Sequence, residues 1–142
     1  MDLPISTEDL TRLYRFALLM TGDEVSAQQV FYDACMDCAA RLAGYRTDDG
    51  RVACMLECLR QKAKVTQPAA GEGQRVVRAF ATLPEEERAA LAGLYTGLLP
   101  ARALAETLKM PLEQMGRTLK KARERLAGAG LELGEPTLEQ AL

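Results

Sequence analysis

A chain of 142 residues, 48% of them hydrophobic, holds one ordinary domain or two very small ones. A net charge of −2 rules out nucleic-acid binding by overall basicity, and no apolar run reaches the roughly 18–20 residues that cross a bilayer. With no His, no Gly-rich phosphate loop behind a strand and no nucleophile elbow, an enzyme is not expected.

Aromatic residues make up only 5%, there is no Trp, and Ala and Leu dominate. These side chains lose little freedom in a helix, so the composition favours an all-α fold. The opening residues lack a basic stretch followed by an apolar one, so no secretory signal or direct membrane insertion is expected and the cytoplasm is the default compartment.

A first helix is expected over residues 6–20. Ser6, Thr7, Glu8 and Asp9 supply a cap and early acids, and Leu10, Leu13, Tyr14, Ala17 and Leu18 recur at helical spacing. Gly22 suits a left-handed stop. A second helix over 24–43 carries Val30, Ala34, Cys38 and Leu42 on one stripe, with Ala27, Phe31, Cys35 and Ala39 beside it. Residues 45–50 read as a polar turn. A third helix over 51–64 buries Val52, Met55, Leu56, Leu59 and Ala63. Residues 65–73 contain Pro, two Gly and small side chains, and read as a linker.

Another helix begins over 74–82. Leu83-Pro84-Glu85-Glu86-Glu87 is a strong start signal for the next, with acids facing the positive end of the dipole, and that helix runs to Tyr95. A short helix over 100–108, a tight turn at Lys109-Met110-Pro111 and a last helix over 112–127 follow. The Gly-rich, mildly acidic end, residues 129–142, reads as a loosely held tail. Scattered Met36, Met55, Met110 and Met115 are expected in the core.

The short helix, turn and long helix form a helix-turn-helix pattern. Leu104, Ala105 and Leu108 make the apolar side of the first, and Met115, Leu119, Ala122 and Leu126 that of the second. On the opposite side Gln114, Arg117, Lys120, Lys121 and Arg125 point to solvent. From Arg117 to Arg125 there are five basic residues and one acid, so the charge is concentrated locally. A helix anchored on one side and basic on the other suits the major groove. Gln114 and Arg117 suit base edges, and Lys120, Lys121 and Arg125 suit phosphates. A Lys/Arg-rich face can also be merely solvated.

The runs Leu83-Pro84-Glu85-Glu86-Glu87-Arg88, Leu104-Ala105-Glu106-Thr107-Leu108-Lys109-Met110-Pro111 and Ala122-Arg123-Glu124-Arg125-Leu126 resemble the fourth conserved region of extracytoplasmic-function sigma factors. Leu13-Tyr14-Arg15-Phe16-Ala17, continuing to Thr21-Gly22-Asp23, resembles the start of their second region. The resemblance covers roughly residues 10–127. It implies two small helical lobes: a three-helix lobe at 1–64, the linker, and a helix-turn-helix lobe at 74–128. It also implies binding to the RNA polymerase core and to a −35-type element of promoter DNA, with an anti-sigma factor as a possible regulator.

Several positions depart from that family. Gln28, Gln29 and Tyr32 stand where the family grips polymerase with acids and a Gln. Cys54 and Glu57 replace the Trp and Arg of the −10 helix, and Glu57 reverses the charge. Gly116 and Thr118 replace a basic pair, and Lys109 replaces the Gly of the turn. These departures leave open a second expectation, a sigma-like interaction module without a promoter role. In it the lobes could pack together and hide the basic helix.

Cys35 with Cys38, and Cys54 with Cys58, lie one helical turn apart on two helices expected to pack together. The plainer expectation is four small buried hydrophobes with no metal and no cofactor. Four thiolates could alternatively hold zinc or an iron–sulfur cluster, or sense redox state; disulfides are disfavoured in a reducing cytosol.

Overall fold

The computed structural model describes residues 3–63 and 75–128. Every regular element among them is a helix: α1 (Thr7–Thr21), α2 (Glu24–Leu42), α3 (Asp48–Lys62), α4 (Arg75–Ala81), α5 (Glu85–Tyr95), α6 (Ala101–Thr107) and α7 (Leu112–Gly128). The linker at 65–73 and the tail at 129–142 lie outside the described residues.

The helix ends follow local chemistry. Ser6 accepts from the Asp9 amide at 3.1 Å and Asp23 from the Ser26 amide at 3.1 Å, so each start has a side-chain cap. Hydrogen bonds to Ser26 hold the Asp23 carboxyl below its ordinary pKa. Gly22 ends α1 in the left-handed region at φ 88°. The third helix starts three residues earlier than expected. Thr47 caps it by accepting from the Gly50 amide at 3.0 Å, and Asp48 and Asp49 occupy the first turn, so the expected turn is partly helical.

The turn between α6 and α7 carries the one positive φ among described non-Gly residues, Lys109 at 58°. The Lys109 amide donates to Glu106 O at 3.1 Å and the Met110 amide to Ala105 O at 3.0 Å. This is a Schellman ending, in which Gly usually holds the left-handed position. A Cβ is strained there. Lys109→Gly is therefore expected to raise stability by about 0.5–1 kcal/mol, after allowing for the freer unfolded chain. A lower urea midpoint would show that the Lys109 side chain outweighs the backbone strain.

α1 is the organising helix. It packs against α2 and α3 on one side and α4 and α5 on the other. That explains why Phe16, Leu19 and Met20 are buried beside the expected Leu13 and Ala17: more than one stripe of α1 is covered. Tyr14 and Phe31 meet edge to face at 5.8 Å between ring centres. α3 also packs against α6. The buried side chains before and after the linker form one continuous cluster, from Leu13 and Leu56 to Phe80, Leu91 and Leu104. α5 and α6 cross closely at Gly93, where a Cβ would stand 2.6 Å from Leu104 Cδ1.

Met55, Met110 and Met115 are buried as expected, but Met36 lies on the exposed side of α2.

Candidate nucleic-acid interface

α7 rests on α5 and α6. Met115, Leu119, Ala122 and Leu126 are buried in that seat, together with Thr118. Because 3.6 residues complete a turn, positions 114, 117, 121 and 125 share the opposite side, with 120 beside them. Arg117, Lys120 and Lys121 are all exposed, and no ion pair among the described residues engages them. Gly116 is exposed next to them, with nothing within 4 Å of where a Cβ would stand.

The two ends of this stripe are tied down. Gln114 is half-buried, and its Nε2 donates to Glu86 at 2.7 Å. Arg125 Nε donates to Glu87 at 2.9 Å, and Glu87 is only 8% exposed. Of the five residues expected to meet DNA, Arg117, Lys120 and Lys121 form a free cluster, whereas Gln114 and Arg125 also hold α7 to α5.

The three glutamates opening α5 have three separate partners. Glu86 and Glu87 face α7, while Glu85 accepts from Arg60 of α3, at 2.9 Å from Nε and 3.3 Å from Nη2. Arg60 Nη1 also donates to Leu108 O at 3.2 Å. A helix-start reading predicts acids at these positions but not their partners, because i→i+3 spacing says nothing about helices 25 to 38 residues away. The next residue, Arg88, is buried. Its Nη1 donates to Leu83 O at 2.8 Å, and desolvation lowers its pKa.

Two departures from the family pattern meet across the fold. Lys109 Nζ stands 3.8 Å from Glu57 Oε1 of α3. Beside them, Glu57, Arg60, Gln61, Glu85, Thr107 and Lys109 line a cavity of about 200 Å3. Glu57 on α3 therefore faces the α6–α7 turn. The halves pack together as the second expectation allowed, yet the basic side of α7 is left exposed.

The outer side of α2 presents Val25, Tyr32 and Met36, 77%, 61% and 47% exposed, with Gln28 and Gln29 between them. Gln29 Nε2 donates to Asp33 at 3.0 Å.

The cysteines lie where α2 meets α3. Cys38, Cys54 and Cys58 are buried and Cys35 is half-buried. Cys38 Sγ donates to Cys54 O at 3.8 Å and receives Arg41 Nη2 at 3.5 Å. Burial, then contact with the Cys58 and Cys54 thiols, pushes the Cys38 thiol far above its ordinary pKa. Among the described residues, no group of three or more His, Cys, Asp or Glu is arranged to hold a metal ion, so the geometry lends no support to a zinc or iron–sulfur site.

No described helix is long and apolar enough to cross a membrane. Comparisons with protein-family models, curated proteins and solved structures find no match to this chain.

Proposed function

We propose that this chain is a sigma-factor-like transcription initiation protein of the cytoplasm, a binding protein and not an enzyme. In this reading it docks on the RNA polymerase core and meets a −35-type promoter element through α7. The observation that carries the reading is the outward cluster of Arg117, Lys120 and Lys121 on a helix seated by its apolar side, behind a short helix and a tight turn. The exposed Val25, Tyr32 and Met36 on α2 support polymerase docking, since that helix resembles the one the family uses for it.

A second reading has its own support. With α3 facing the α6–α7 turn, and Gln114 and Arg125 engaged by Glu86 and Glu87, less surface is free for DNA than in the family pattern. That favours a degenerate sigma-like module that binds an anti-sigma factor or other regulator.

The deciding experiment mixes purified chain, bacterial core polymerase and a labelled duplex carrying −35-type elements. Retention of the duplex by core polymerase only when the chain is present is the expected result. A chain that binds neither core nor duplex, but forms a one-to-one complex with a purified anti-sigma factor, establishes the second reading instead.

A further inference from the structure

We propose that Cys38, Cys54 and Cys58 form an oxidation site at which a hydroperoxide joins Cys38 of α2 to a thiol of α3 through an interhelix disulfide. The inference is independent of any role in transcription. Buried cysteines in a helical core are ordinarily inert fillers, each surrounded by carbon. Here three thiols from two helices converge instead. Cys38 Sγ of α2 donates to the Cys54 carbonyl of α3 at 3.8 Å, and Cys38, Cys54 and Cys58 are all buried where the two helices pack.

The cluster also has access and a cation. Cys54 and Cys58 line a cavity of about 80 Å3 with Arg41, Tyr45, Glu57 and Gln61, while Cys38 is closed off behind them. Tyr45 and Cys54 line this same cavity. The Arg41 guanidinium reaches Cys38 Sγ and feels the charge that would form on all three sulfurs. These features assign the roles: a cavity-lining thiol of α3 meets the oxidant, and buried Cys38 resolves.

In the first step the α3 sulfur attacks the peroxide. An S–O bond forms, the O–O bond breaks, and the departing oxygen takes the thiol proton, leaving a sulfenic acid and water or an alcohol. In the second step Cys38 attacks that sulfur. An S–S bond forms, the S–O bond breaks, and the released hydroxide takes the Cys38 proton to give water. The two sulfurs together lose two electrons, and the peroxide takes both. The product ties α2 to α3, the helix that reaches the α6–α7 turn through Arg60 and Glu57.

The test treats the reduced full-length chain with hydrogen peroxide under native conditions, then measures intact mass and maps peptides. The expected result is loss of two hydrogen atoms per monomer, a Cys38 link to Cys54 or Cys58, and reversal by dithiothreitol. Cys35→Ser is expected to form the same link. Cys38→Ser is expected to form none and to accumulate a sulfenic acid on α3, captured by a 1,3-dione probe. Native chain that gains oxygen without a link, that links only after unfolding in urea, or that joins only separate monomers overturns the proposal. The mapping of the unaltered chain decides this even if Cys38→Ser fails to fold.

Discussion

Replacing Arg117, Lys120 and Lys121 together by Ala is expected to weaken duplex DNA binding about a hundredfold near physiological salt. Each lysine or arginine at a phosphate releases roughly 0.9 of a counterion, so three contacts contribute a slope of about −3 in log affinity against log salt. The parent chain should then lose roughly fortyfold in affinity between 50 and 200 mM salt, and the triple variant should lose that dependence. Fluorescence anisotropy across a salt series measures both. The fold should not suffer, because these three side chains are exposed and engaged in no ion pair among the described residues. An unchanged slope with an unchanged melting temperature would remove the outward side of α7 from any contact with nucleic acid. Gln114 and Arg125 are poorer probes, since removing Arg125 leaves the buried Glu87 carboxylate unpaired and confounds binding with stability.

Phe80→Ala is expected to cost about 3–5 kcal/mol, a large share of the roughly 5–15 kcal/mol that holds an ordinary domain together. Phe80 is fully buried in α4, a helix that packs on both α1 and α5, and its ring lies 6.1 Å from that of Tyr95. The loss should appear on both sides of the linker. Urea unfolding followed by helix content and by tyrosine fluorescence, from Tyr14 and Tyr95 in separate single-tyrosine versions, should give one transition that moves as a unit. Two transitions, with only the Tyr95 signal displaced, would mean that the two halves fold independently and that the continuous core is not a cooperative one.

Local signals were the most legible part of the chain. Ser6 and Gly22 marked helix ends because a capping side chain or a left-handed Gly acts within three or four residues. The seat of α7 was legible for a similar reason: Met115, Leu119, Ala122 and Leu126 repeat with the helix period. The start of α3 was missed because Asp48, Asp49 and Gly50 read as turn residues until Thr47 is recognised as their cap. Met36 was misplaced because an apolar side chain on a helix does not reveal which side has a neighbour. The candidate site was half legible. The outward direction of Arg117, Lys120 and Lys121 follows from spacing, but the engagement of Gln114 and Arg125 depends on where α5 lies.

By itself the amino-acid sequence determined the all-helical character, the positions of most helix ends and the basic stripe, because propensity, capping and periodicity act over one or two turns. Only the tertiary structure decided that the halves share a core through α1, that Glu85 reaches α3 while Glu86 and Glu87 reach α7, and that Lys109 meets Glu57. It also brought Cys38 of α2 against Cys54 of α3. Those contacts join residues far apart in the chain, and their partners are chosen by packing geometry, which no local pattern encodes.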